Sequence, residues 1–122
     1  MFKRIDHIAL DVADIDKSIA FYEKHFSCKL YYEHLSSGGF RIAYLRSGDT
    51  VLELVHRDAG SMNGFHFCFE TDDFEGEVLK LKKAGIDCLT EPHNTDAREE
   101  REKGWRRVVF KGPDGEAIEF RG

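Results

Sequence analysis

From Ile5 to Val12 apolar and polar positions alternate: Ile8, Leu10 and Val12 point to one side, Ile5, His7 and Ala9 to the other. Period two over this length predicts a strand with one buried face. After Asp14 the period lengthens, and Ile15, Ile19, Tyr22 and Phe26 fall on one stripe of a helix that Asp14 is placed to cap. Strand character returns over Cys28 to Leu35, Phe40 to Arg46 and Thr50 to His56, with turns at Ser36 to Gly39 and Ser47 to Asp49. The polar run from Arg57 to Asn63 predicts a connector, and then the order recurs. Gly64 to Thr71 is a strand with Phe65, Phe67 and Phe69 on one face and His66, Cys68 and Glu70 on the other. A second helix is predicted from near Asp72, where Asp72 and Glu75 resemble a capping box. It turns Phe74, Val78 and Leu81 inward and stops at Ala84 and Gly85. Asp87 to Glu91 is a short strand, and Pro92 to Gly104, charged and aperiodic, predicts a mobile loop. Trp105 to Lys111 and Glu116 to Arg121 close the chain as strands joined through the turn at Gly112 to Gly115.

The recurrence extends to individual residues. Laying Ile5 to Lys24 over Gly64 to Lys83 matches His7 with His66, Leu10 with Phe69, Asp11 with Glu70, Asp14 with Asp73, Ile15 with Phe74 and Ile19 with Val78. Laying Ser47 to Val55 over Pro113 to Arg121 matches Glu53 with Glu119. An internal repeat sets the architecture before any other fold argument. The class is α+β: two tandem βαβββ modules, about 1–56 and about 64–122 with a connector at 57–63, within a single domain spanning 1–122. Ile118, Phe120, Leu52 and Leu54 are expected toward the helices, so His7, Glu53, His66 and Glu119 all lie on the opposite sheet faces. Two curved sheets of this kind, forming one mixed sheet, would enclose a cleft lined by these four side chains.

Composition narrows the functional classes. The net charge is −5 with acids and bases interspersed, which removes the electrostatic footprint of a nucleic-acid binder. No apolar run approaches the roughly 20 residues of a membrane span, and the N-terminus has no signal-peptide pattern. Cys28, Cys68 and Cys88, odd in number and scattered, read as reduced thiols of a cytoplasmic protein.

Two imidazoles and two carboxylates in repeat register are a donor set for Zn, Ni, Co or Mn. A lone strand histidine or glutamate is ordinarily structural; four in register favour a metal. Cys68 reads as small packing beside His66, and His25, His34, His56 and His93, without repeat partners, read as surface or rim residues.

With the stretch IDHIALDVADIDKSIAFYEKHFSCKL and the closing GPDGEAIEF, the chain resembles the vicinal oxygen chelate superfamily, which includes glyoxalase I, fosfomycin-resistance enzymes, methylmalonyl-CoA epimerase, extradiol dioxygenases and bleomycin-resistance proteins. The resemblance covers nearly the whole chain and implies paired βαβββ modules around one metal, often in a homodimer that covers exposed strand edges. His7, Glu53, His66 and Glu119 resemble the glyoxalase I quartet position by position. Dioxygenases and fosfomycin-resistance enzymes typically carry two histidines and one carboxylate, and the epimerases usually carry glutamine where Glu53 stands.

The implied activity is a divalent-metal-dependent lyase that isomerises a 2-oxoaldehyde–thiol hemithioacetal by proton transfer through an enediolate. Glu119 is the expected base and Glu53 its counterpart, with a thiol such as glutathione as cosubstrate. Glutathione-dependent relatives commonly carry arginine four residues after the first histidine and asparagine four after the first glutamate; here Asp11 and Arg57 stand there. Arg57, Lys103, Arg106 and Arg107 are the candidate contacts for an anionic group of a small-molecule substrate. Alternation places Arg41 and Tyr44 on opposite faces, so one of the two is a cleft residue. The same resemblance admits an epimerase, a fosfomycin-type thiol transferase, a dioxygenase or a non-catalytic binding and resistance protein.

Overall fold

The computed structural model describes residues 1–122 apart from 2, 59 and 61–63. The chain divides into two compact units, Met1–Ser61 and Met62–Gly122. The connector expected at 57–63 falls at this division and lies partly outside the described residues.

In the first unit β1 (His7–Val12), α1 (Ile15–Phe26), β2 (Lys29–Leu35), β3 (Arg41–Ser47) and β4 (Thr50–His56) form a four-stranded mixed sheet of order β1-β4-β3-β2. β1 runs parallel to β4, and the other pairings are antiparallel. α1 starts where Asp14 accepts a hydrogen bond from the backbone N–H of Lys17 at 3.1 Å and ends at Ser27 in the left-handed region, φ 54°. Ile15, Ile19, Tyr22 and Phe26 are all buried, as the helical stripe requires, and the sheet meets them with Leu10, Val12, Leu45, Leu52 and Leu54. Each such side chain taken out of water contributes on the order of 1.5–3 kcal/mol.

The second unit repeats this plan with β5 (His66–Glu70), α2 (Phe74–Lys83), β6 (Cys88–Asn94), β7 (Arg106–Lys111) and β8 (Ala117–Arg121) in the order β5-β8-β7-β6. β5 is parallel to β8. Phe74, Val78 and Leu81 of α2 are buried, with Val108, Phe110, Ile118 and Phe120 of the sheet. The Phe110 and Phe120 rings stack at 5.9 Å, and Phe74 meets Phe120 at 5.5 Å.

Two local expectations change. The cap of α2 is Asp73, which accepts from the backbone N–H of Gly76 at 3.1 Å, so the Asp72–Glu75 capping pair is not used. Asp73 is the repeat equivalent of Asp14, and its carboxylate alone has the geometry for the N3 amide. The segment from 92 to 104 is also not one loop: β6 continues through Pro92 to Asn94, and a single 3₁₀ turn forms at Glu100–Glu102. Glu102 is fully buried, accepting from the Arg98 backbone N–H at 2.7 Å and from its guanidinium. Those hydrogen bonds from Arg98, outweighing burial, hold the carboxyl at a pKa of about 2. A charged sequence is ordered here because one carboxylate is enclosed with its own cation four residues away.

Candidate functional site

In each unit the parallel pairing of first and last strand brings one histidine beside one glutamate. Ala9 stands opposite Glu53 in the β1–β4 ladder, which puts His7, two residues earlier, on the face of Glu53. His7 Nε2 and Glu53 Oε2 are 2.9 Å apart, and Glu53 is largely buried while His7 is half-exposed. The other ring nitrogen, Nδ1, lies 3.0 Å from Asp6 Oδ2. A proton on Nδ1 donated to Asp6 orients the ring and leaves Nε2 as an electron-pair donor, the arrangement usual for ligating histidines. Asp6 in turn has a lowered pKa, because of that hydrogen bond from His7.

The second unit reproduces the pair. Cys68 stands opposite Glu119 in the β5–β8 ladder, and His66 Nε2 lies 3.3 Å from Glu119 Oε2. The surroundings of the carboxylate differ. Glu119 is 2% exposed, and it accepts from Arg107 Nη2 at 2.9 Å on Oε2 and from Arg121 Nε at 2.9 Å on Oε1. Burial by itself would raise its pKa, but the hydrogen bonds and charges of the two arginines outweigh it and bring the value down to about 2. Arg107 Nε and Arg121 Nη1 are buried and have no hydrogen-bond partner among the described residues. A cavity of about 310 Å³ opens beside this pair, lined by His66, Cys68, Arg101, Trp105, Glu119 and Arg121 among others.

The two pairs suit a divalent cation. Two donor atoms each roughly 2.1 Å from one ion and at right angles to each other lie roughly 3 Å apart, which is the separation of Nε2 and Oε2 in both units. Imidazole nitrogen with carboxylate oxygen is a donor chemistry for Zn, Ni, Co or Mn. Each unit supplies two donors; among the described residues no group of three or more His, Cys, Asp and Glu side chains gathers around a single point.

Of the cations expected to meet a substrate anion, Arg57, Lys103 and Arg106 are paired with carboxylates in this structure. Arg57 Nε donates to Asp11 Oδ1 at 2.7 Å, so the two residues that depart from the glutathione-dependent pattern neutralise each other. Lys103 pairs with Glu100 at 2.8 Å. Arg106 turns to the helix face of its sheet, where it pairs with Glu75 and covers the Phe74 ring. Its neighbour Arg107 takes the opposite face and reaches Glu119. Of Arg41 and Tyr44, it is Tyr44 that lies on the face of Glu53. Arg41 is bound to Asp16 of α1 and to Glu33, whereas Tyr44 pairs with Glu53 in the β3–β4 register. Asp6, beside His7, and Arg121, two residues beyond Glu119 on the same face, join the site without being among the candidates that the repeat names. Strand alternation carried the signal for Arg121; for Asp6 it was adjacency alone.

The profile of the Glyoxalase/Bleomycin resistance protein/Dioxygenase superfamily matches residues 4–120. The chain is 33% identical to the uncharacterized protein YwbC of Bacillus subtilis (strain 168), over 98% of each chain. It is 30% identical to the lactoylglutathione lyase of Neisseria meningitidis serogroup B (strain MC58), covering 96% of this chain and 88% of the relative. Among solved structures, SMU.1112c superposes with a TM-score of 0.79 at 25% identity over 100% of both chains.

Proposed function

The chain belongs to the glyoxalase/bleomycin resistance protein/dioxygenase superfamily, and on that premise we propose that it is a divalent-metal-dependent lyase of the glyoxalase I type, isomerising a 2-oxoaldehyde–thiol hemithioacetal. The observation that carries this reading is the twice-built His–Glu pair, with nitrogen and oxygen facing each other at 2.9 Å and 3.3 Å. His7, Glu53, His66 and Glu119 would hold one divalent ion, Zn, Ni, Co or Mn. When bound, that ion supplies Lewis-acid polarisation of the two neighbouring oxygens of the substrate.

The protein groups divide the remaining work unequally. Glu119, gripped by Arg107 and Arg121, is a fixed and weakly basic anchor. Among the described residues no arginine bonds to Glu53, which faces His7 Nε2 at 2.9 Å and has Tyr44 as its neighbour in the ladder. Glu53 is therefore the better base of the two glutamates named in the sequence reading. Its carboxylate takes the proton from the substrate carbon bearing sulfur and oxygen, and returns it to the adjacent carbon. The active form we propose is a cytoplasmic homodimer using glutathione or another thiol.

The test begins with metal content. The stripped chain should take up one divalent ion per chain, and a His7→Ala, His66→Ala variant should not. The metal-loaded chain should convert the methylglyoxal–glutathione hemithioacetal to its thioester. Glu53→Gln should abolish this turnover while metal is still bound. Metal binding without isomerisation, accompanied by thiol addition to fosfomycin, epimerisation of an acyl thioester or oxygen uptake with a catechol, would replace the lyase reading with that activity. Absence of metal uptake would point to a binding protein.

A further inference from the structure

The first unit carries an aromatic cluster on the sheet face that holds Glu53. Tyr44 stands opposite Glu53 in the β3–β4 ladder, and Tyr32 stands opposite Tyr44 in the β2–β3 ladder. The β2 register shifts between Leu30 and Tyr32, and such a bulge re-aims a side chain that strict alternation would send to the other face. As a result consecutive tyrosines both reach Tyr44: Tyr31 at 6.3 Å and Tyr32 at 6.0 Å between ring centroids. The His34 ring stacks on Tyr44 at 5.7 Å with an interplanar angle of 11°. Arg46 covers Tyr31 with its guanidinium 4.2 Å from the ring centroid and so holds the outer edge in place.

Tyr31 is 46% and Tyr32 55% exposed. Together with Tyr44 and His34 they make a contiguous aromatic face that a ligand can reach. A flat uncharged ring finds three tyrosines and an imidazole to stack against on this face.

We infer that Tyr31, Tyr32, His34 and Tyr44 form a platform for a planar aromatic group, and that the substrate of the His7–Glu53 site is an aryl-substituted vicinal oxygen compound in preference to a small alkyl one. This deepens the proposed lyase reading and rests on it for the reaction, though the ring-binding surface is a property of the first unit alone.

Two metal chelators that differ in the ring test the inference. Benzohydroxamate and acetohydroxamate present the same pair of vicinal oxygens, and their affinities for the Zn²⁺-loaded chain are measured by calorimetry. Benzohydroxamate should bind about 10-fold more tightly, in keeping with aromatic contacts of about 1 kcal/mol or more. Tyr32→Ala should bring the ratio close to one without altering acetohydroxamate affinity or the thermal midpoint, and Tyr32→Phe should restore it. Equal affinities in the parent chain, or a ratio unchanged by Tyr32→Ala and by Tyr44→Ala, would overturn the inference.

If the chain takes up no metal, the proposed function fails and the platform is tested separately. Benzamide titrated into the metal-free protein should shift the ring resonances of Tyr32 and Tyr44, and no shift up to its solubility limit would refute the platform. Concentration-dependent dimerisation lost in Tyr32→Ala would show that a second copy covers these rings, which also overturns the inference.

Discussion

Replacing Glu119 with glutamine keeps the shape of the side chain and removes its charge. Its carboxyl is held at about 2 against an ordinary 4.5, the arginine hydrogen bonds and charges having overcome burial. A difference of that size corresponds to about 3 kcal/mol in favour of the ionised form in the folded chain. Because the folded pKa is depressed, this stability is fully present above about pH 4.5 and is lost as the pH falls toward 2. By the same linkage about three fifths of it is gone at pH 3. In the glutamine variant Arg107 and Arg121 lose their carboxylate, and nothing titrates at this position.

Urea denaturation of the metal-free parent and Glu119→Gln should therefore differ by about 3 kcal/mol near neutral pH and by about 1 kcal/mol at pH 3. Other carboxylates, Glu102 among them, titrate in both proteins and cancel in the comparison. A variant as stable as the parent at neutral pH would show that the arginines do not hold Glu119. A stability gap that stayed constant down to pH 3 would show that its origin is not the charge of the carboxylate.

Three further outcomes follow from the local geometry. Burial, the largest cause, pushes the Cys28 thiol up to about 11. This thiol should therefore stay protonated near pH 8 and react with iodoacetamide far more slowly than free cysteine, and labelling in the folded state at the free-thiol rate would contradict this. Asp73→Ala should cost about 1 kcal/mol through loss of the α2 cap, lowering the thermal midpoint by several degrees; an unchanged midpoint would mean that the Gly76 amide finds another acceptor. Arg106→Ala should leave the KM for a hemithioacetal unchanged and cost less than about 1 kcal/mol, since its partner Glu75 is an exposed helix residue. A several-fold rise in KM would return Arg106 to the substrate.

Much of this protein is determined by the order of its residues alone. The period-two and helical stripes locate every strand and both helices, because a half-buried strand and an amphipathic helix each leave a distinct spacing of apolar residues. The repeat places His7 with His66 and Glu53 with Glu119, and the parallel β1–β4 and β5–β8 ladders convert that alignment into two His–Glu contacts. The same repeat, followed strictly, also points to Asp73 as the cap, where a local motif suggested Asp72.

Other features were decided by tertiary structure, because they depend on which charges and rings meet across strands. Arg57 and Arg106 are cations in any reading of the chain, yet each is matched by a carboxylate that folding brings to it. Glu53 and Glu119 are equivalent in the repeat, and only the cross-strand position of Arg107 and the shared face of Arg121 give Glu119 two arginine partners while Glu53 faces His7. The bulge at Tyr31 likewise has no signature in apolar spacing: a one-residue register shift is set by how β2 pairs with β3, and it decides which rings lie beside Glu53. Periodicity fixes the face of a residue, whereas its partner is chosen by the register and packing of segments distant in the chain, which is why the donor pairs were legible in the sequence and their electrostatic asymmetry was not.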